Sequence, residues 1–294
     1  MTDMTITRKT IIGLGSESEA AQAAVILGET PGFEDFPLVA LEEAGQWFLE
    51  CYDNGVLGAG VAVAALTDAG FAPRSEATAA VPDADWVAES QKALPPVRAG
   101  RFIVHGRHDR ARIRSQWAIE IDAGRAFGTA HHGTTKGCLL AIGALPALVK
   151  PHAVLDLGTG SGVLAIAAAK TFGRRVSAAA ADIDPIAIVV ARENCRKNGA
   201  AGSVSLYVGD GKKPAAAYAR APFDIVVANI LAKPLLNLAP RLRELTRRGG
   251  VLILSGLLCR QAREILARYS ATGFRLVQRR DLEGWATLTL RRVH

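Results

Sequence analysis

Apolar positions along the second two thirds of the chain fall into two alternating patterns. Short runs that are apolar throughout, AVLDLG (153–158), RVSAAAADID, SVSLYVGD, FDIVVANI and GVLILSGL, read as strands buried on both faces. Between them VLAIAAAKTFG, PIAIVVARENCRKNG, AKPLLNLAPRLRELTRRG and CRQAREILARYSATG carry apolar residues at helical spacing. Strand and helix in strict alternation predict a parallel sheet covered on both faces. The closing runs FRLVQRRDLEG and WATLTLRR are joined too closely for a helical crossover, so they are expected to pair antiparallel at one edge. The fold class expected is α/β, a Rossmann-like, seven-stranded, mostly parallel sheet with an antiparallel edge strand.

The first 82 residues follow a different order. ITRKTIIGL (6–14), FPLVALEEA (36–44), QWFLECYD (46–53) and RSEATAAVP (74–82) read as strands. SESEAAQAAVILG (16–28), which opens on a Ser/Glu capping pattern, and GVAVAALTDAG (60–70) read as helices. The order βαββαβ is that of a ferredoxin-like α+β domain. DADWVAESQKALPP (83–96) is expected to be a linker helix stopped by two prolines. The expected organisation is therefore a small domain over 1–82, a linker over 83–96 and a larger domain over 97–294.

Composition changes this picture in two places. With 49% hydrophobic and 21% charged residues, the 294-residue chain can fill more than one core, which excludes a disordered chain. The four cysteines are scattered and lack metal-ligand spacing, so no metal site is expected. No leader-like apolar run opens the sequence and no window reaches the roughly 18 apolar residues of a membrane span, so a cytoplasmic protein is expected. The net charge of +7 divides unevenly. Residues 1–96 hold 4 Lys and Arg against 15 Asp and Glu, net −11, and the remainder holds 31 against 13, net +18. Two domains facing different partners would carry such a split, as would two halves that attract each other.

The chemistry concentrates after the strand at 153–158. In an open sheet of this kind a ligand sits at the carboxyl ends of the strands, beside the first one. Gly158, Gly160 and Gly162 let backbone pass close under a ligand, and Asp182, 24 positions after Gly158, is placed to accept both hydroxyls of a ribose. A dinucleotide fingerprint would carry its third glycine at Val163, whereas here it falls at 162. S-adenosylmethionine is therefore preferred over NAD, although an NAD-dependent oxidoreductase, or a glycine turn that only packs, stays open on spacing alone. Asn229 ends the fourth strand beside the first. Its side-chain carbonyl can hold an incoming amine for attack on a methyl group, a role for positioning rather than for a strong base. A strand-end Asn that merely turns the chain is the plainer alternative.

DLGTGSGVLAIAAAK, ADIDPIAIVVARENCRKNG, VVANILAKPLLNLAP and AFGTAHHGTTKGCL (126–139) together resemble the bacterial methyltransferases of ribosomal protein L11. The resemblance runs from about residue 83 to the closing EGWATLTLRR and is weak before it. It implies a class I methyltransferase fold, S-adenosylmethionine as donor, methylation of lysine side chains and the N-terminal α-amine of that ribosomal protein, and docking by the small N-terminal domain. It also implies that a loop containing Phe127, Gly128, Thr129, His132, Thr134 and Thr135 covers the cofactor, with contacts from Phe127, Thr129, Thr135, Gly158, Asp182 and Asn229. His132 is then expected as a catalytic lid residue beside Asn229. Ala130 and Gly133 depart from the family's pattern. Asn229-Ile230-Leu231-Ala232 lacks the aromatic ring of the related enzymes that methylate planar amides and bases, which counts against a nucleobase substrate. The acidic first domain suits a basic protein partner. Arginines at 107–114 and 241–248 would suit RNA phosphates, or simply a solvated face.

Overall fold

The computed structural model describes residues 8–28, 30, 33, 38–53, 59–80, 96–121, 133–173, 176–210 and 218–293. The chain divides into two compact units, 1–89 and 90–294. The expected linker helix falls, up to residue 95, outside the described residues.

In the first unit the elements are β1 (Arg8–Leu14), α1 (Glu17–Gly28), β2 (Leu38–Glu43), β3 (Gln46–Asp53), α2 (Ala59–Asp68) and β4 (Ser75–Ala80). They form an antiparallel sheet in the order β2-β3-β1-β4, which is the expected ferredoxin-like plan. The capping pattern read before α1 is realised in both directions. The Glu19 N–H donates to Ser16 Oγ at 3.2 Å and the Gly15 N–H donates to Glu19 Oε2 at 2.7 Å, so two otherwise orphaned donors are satisfied. α1 buries Ala20, Ala23, Ala24 and Leu27 against Ile12, Leu14 and Leu49 of the sheet. Two basic residues of β1 are consumed internally, Arg8 by Asp53 at 2.9 Å and Lys9 by Glu50 at 2.6 Å.

The second unit opens with a three-stranded sheet that the apolar pattern did not suggest: β5 (Val97–Ala99), β6 (Phe102–His105) and β7 (Ala118–Glu120). After α3 (Gly133–Ala144) the alternation begins: β8 (Ala153–Leu157), α4 (Val163–Phe172), β9 (Ser177–Asp182), α5 (Pro185–Lys197), β10 (Val204–Val208), β11 (Phe223–Asn229), α6 (Ala232–Leu245), β12 (Thr246–Leu258), α7 (Ala262–Ala271), β13 (Phe274–Leu282) and β14 (Trp285–Arg292). The seven-stranded sheet runs β10-β9-β8-β11-β12-β14-β13. All its neighbours are parallel except β14, which is antiparallel to both β12 and the edge strand β13. Alternate residues of each strand enter opposite cores. Val154, Ile225, Val227, Val251 and Ile253 meet α3 and α4, whereas Leu155, Val226, Ala228, Leu252 and Leu254 meet α6 and α7.

One boundary differs from the sequence reading, which extended the sixth helix through TRRG. The helix ends at Leu245, and Thr246 already pairs with Phe223 as the first residue of a 13-residue strand. Tertiary pairing overrides the helical run here, because Arg247 is drawn to Asp224 at 2.9 Å and Arg292 donates to the Thr246 carbonyl at 2.6 Å. Pro240 inside α6 leaves the Leu236 carbonyl without its helical donor, and Arg268 Nε fills that place at 3.3 Å.

Candidate functional site

The carboxyl ends of β9, β8 and β11 lie side by side in the sheet, the position at which an open sheet of this kind has its ligand crevice. β8 stops at Leu157, and the chain turns through Gly158, Gly160 and Gly162, all at positive φ, into α4. The turn is fastened to the end of the neighbouring strand, where the Gly158 and Thr159 N–H groups both donate to the Ala181 carbonyl at 2.8 and 3.0 Å. Gly158 is required there because a Cβ would strike Ile230 Cγ2, and φ at 72° disfavours any other residue.

Asp182 ends β9. Its Oδ2 accepts the Gly160 N–H at 2.8 Å and its Oδ1 accepts the Asp184 N–H at 3.1 Å, so the carboxylate is held in place while the side chain stays half-buried at the crevice. Beside it, Ile183 is 73% exposed, and Val208, in register with Asp182 on β10, is 53% exposed. Asp182 thus offers two carboxylate oxygens as acceptors beside uncovered apolar side chains, an arrangement suited to a polar group with hydroxyls next to a flat apolar one.

Asn229, the last residue of β11, lies beside β8 in the sheet. Its Nδ2 faces Thr135 Oγ1 at 3.5 Å, a long contact, and its Oδ1 receives no donor from the described residues. Thr135 sits in the first turn of α3 and is 1% exposed. The expected site residues Gly158, Gly160, Gly162, Asp182, Asn229 and Thr135 are thus brought to one end of one sheet. Phe127, Thr129, His132 and the rest of their loop up to 132 lie outside the described residues.

Asp156 lies beneath the turn at 1% exposure. Its Oδ2 accepts from Thr159 Oγ1 at 2.6 Å and from the Ala165 N–H at 3.1 Å, while Oδ1 is buried with no partner among the described residues. Burial pushes its pKa up to about 6, with the Thr159 and Ala165 donors opposing and the Asp182 charge adding to the rise.

Several residues that shape the crevice carried no signal the sequence reading used. Ser255, paired with Asn229 on β12, has its Oγ 3.0 Å from Thr287 Oγ1 and 3.4 Å from the Thr134 carbonyl, tying the start of α3 to the sheet. Gly256 (φ 82°) passes directly under Ile230, whose carbonyl oxygen a Cβ would strike. Asn194, buried inside α5, donates to the Ser161 carbonyl at 2.9 Å and fixes the glycine turn from below. An Asn in a helix interior is itself a cue, since its propensity is poor. Gly133, the departure noted above, has a structural reason, because a Cβ there would sit 2.6 Å from the Leu282 carbonyl. All four cysteines are free, and burial raises the thiol pKa of Cys138 and Cys195, which keeps both protonated.

Residues 20–293 match the family model described as "Ribosomal protein L11 methyltransferase (PrmA)". The chain belongs to that family. A Rhizobium etli ribosomal protein L11 methyltransferase is 42% identical over 281 residues, covering 93% of this chain and 95% of the relative. A Rhizobium rhizogenes protein of the same name is 50% identical over 213 residues, 72% of each chain. The crystal structure of a ribosomal protein L11 methylase from Lactobacillus delbrueckii subsp. bulgaricus superposes with a TM-score of 0.57 at 31% identity, covering 68% of this chain and 99% of that one. Membership of this methyltransferase family carries the class I fold and S-adenosylmethionine as methyl donor, and it sets aside the NAD-dependent alternative that glycine spacing had left open.

Proposed function

We propose that this chain transfers methyl groups from S-adenosylmethionine to amines of ribosomal protein L11, both lysine side chains and the N-terminal α-amine, in the cytoplasm. The donor supplies a methyl group on a positively charged sulfur. Asp182 holds the ribose hydroxyls, and the glycine turn passes beneath the methionyl portion. Thr135 would contact it from the first turn of α3, and Phe127, Thr129 and His132 are proposed as further contacts.

The observation that carries the reading is Asn229. Its Nδ2 faces Thr135 Oγ1 at 3.5 Å, and Oδ1, at the strand end beside the Gly158 turn, accepts no hydrogen bond from the described residues. There Oδ1 accepts an N–H of the incoming amine and aims the nitrogen lone pair at the methyl group. A lysine amine has a pKa of about 10.4 in water, and burial beside a positive charge lowers it, so the attacking form is reached without a strong protein base. Holding the reactants in near-attack geometry supplies the rate. Ile230, wedged between Gly158 and Gly256, leaves no aromatic platform after the Asn, which favours a flexible alkyl amine over a flat base.

The first unit is the docking module in this reading. With Arg8 and Lys9 held in ion pairs, its exposed Glu17, Glu19, Glu42, Glu43, Asp68 and Glu76 present an acidic surface to a basic protein.

Intact-mass spectrometry of ribosomal protein L11 incubated with the chain and donor tests the proposal. Whole-methyl mass gains are expected, located on amines by fragmentation, and Asn229→Ala should slow them about 100-fold while still binding donor. Equal rates for the two proteins, or methyl groups found only away from amines, would refute it.

A further inference from the structure

The end of the large sheet opposite the crevice collects arginines. Arg275 on β13 stands directly across from Arg291 on β14, a like-charge pair that costs stability when nothing compensates it. On the other face of the same sheet end, Arg292 donates to the carbonyls of Arg243 and Thr246 at 2.8 and 2.6 Å, which brings the last turn of α6 and the start of β12 to this end. Burial and the nearby Arg243 and Arg248 charges lower the pKa of Arg292, as expected where cations crowd. Further along, Arg220 reaches Ser177 at the start of β9.

The acids at this end are already engaged. Asp224 accepts the His152 and Ala153 N–H groups at 2.8 and 3.0 Å and pairs with Arg247, and Glu244 pairs with Arg241 at 2.7 Å. Arg243, Arg248 and Arg275 make no ion pair with any described residue. The cluster at 107–114 is different, because Arg110 is locked onto Glu120 by two 2.5 Å bonds and His108 sits 3.1 Å from Asp109.

We infer that this arginine-rich end of the sheet is a contact surface for the phosphate backbone of folded RNA. Guanidinium groups pair with phosphate oxygens in a fork and tolerate partial desolvation, which lysines would do less well. The exposed apolar side chains on β13, Leu276 and Val277, number only two and are flanked by Arg275, Arg279 and Arg280, a poor fit to a lipid surface. The choice of RNA over DNA rests on the proposed ribosomal substrate; the surface itself does not.

The test uses the full chain and a fluorescent 20-base-pair RNA hairpin, with binding followed by anisotropy across a salt titration. Binding at low salt is expected, with a negative slope of log affinity against log salt. The triple variant Arg243→Gln, Arg248→Gln, Arg275→Gln should weaken binding at least about tenfold and flatten the slope by about 2 to 3, since each lost phosphate contact removes about 0.7 to 0.9. None of these residues approaches the crevice, so methylation of free ribosomal protein L11 should be unchanged in the variant, which separates this inference from the proposed function. An unaltered melting curve shows that the variant is folded. No binding to the hairpin, or equal affinity and slope in the variant, would overturn the inference. Tighter binding to a DNA hairpin of the same sequence, or to anionic vesicles or polyglutamate, would overturn RNA as the partner.

Discussion

Replacing Asp156 by asparagine isolates the cost of a buried carboxylate. The side chain is 1% exposed, with Oδ2 held by Thr159 and the Ala165 N–H and Oδ1 without a partner among the described residues. Burial raises its pKa from 3.8 to about 6, which is worth about 3 kcal/mol in favour of the protonated form. Because the folded value lies above the unfolded one, the folded chain binds this proton more tightly. The resulting stabilisation is fully present below 3.8 and is lost as pH rises through about 6. Between about pH 4.5 and about pH 7.5, Asp156 alone should remove about 2 kcal/mol of stability. Asp156→Asn keeps an acceptor toward Thr159 and Ala165 but cannot titrate. Urea unfolding of both proteins at the two pH values, followed by tryptophan fluorescence, gives the comparison. The wild type should lose about 2 kcal/mol more than the variant on going to the higher pH. Equal losses would show that the carboxylate is not buried and unpaired as described.

Other outcomes follow from the same geometry. Gly256→Ala places a Cβ into the Ile230 backbone at φ 82° and should cost about 2 to 4 kcal/mol in thermal unfolding, with kcat falling because Ile230 follows Asn229; an unchanged Tm would count against the close approach. Asp182→Asn removes a charged acceptor and should raise the donor Kd about 10- to 100-fold by calorimetry, with kcat at saturating donor little changed; an unaltered Kd would place the ribose elsewhere. Association with ribosomal protein L11 should slow steeply with added salt, and Glu42→Lys with Glu43→Lys should blunt that dependence in stopped-flow; rates indifferent to salt would remove the docking role of the acidic unit.

Elements whose apolar pattern is strong were legible in the sequence. β3 spans Gln46–Asp53, the run QWFLECYD as read, and the strand–glycine–helix passage from Ala153 to Phe172 lies where its pattern put it. The crevice was legible for the same reason, since Asp182 and Asn229 are polar residues at the ends of otherwise apolar strands. What escaped is built from long-range contacts between unremarkable residues. β5, β6 and β7 are only three or four residues long, too short for a period to show, and β7 is anchored by Asn198, which exchanges hydrogen bonds with the Glu120 backbone at 2.9 and 2.7 Å. Ser255 and Gly256 read as the small residues of a strand. Their importance arises only when β11 and α3 are folded against them. The end of α6 was misjudged because Arg247 and Arg248 suit a helix locally, while the ion pair to Asp224 that recruits Arg247 into β12 spans 23 positions of sequence.

A crystal soaked with S-adenosylmethionine would examine the central claim most directly. The account predicts ribose hydroxyls on the Asp182 carboxylate, the sulfonium methyl at the end of β11 facing Asn229 Oδ1, and the amide nitrogen of Asn229 still turned to Thr135. Donor density away from the glycine turn, or an Asn229 amide turned into the sheet interior with Oδ1 engaged there, would contradict it.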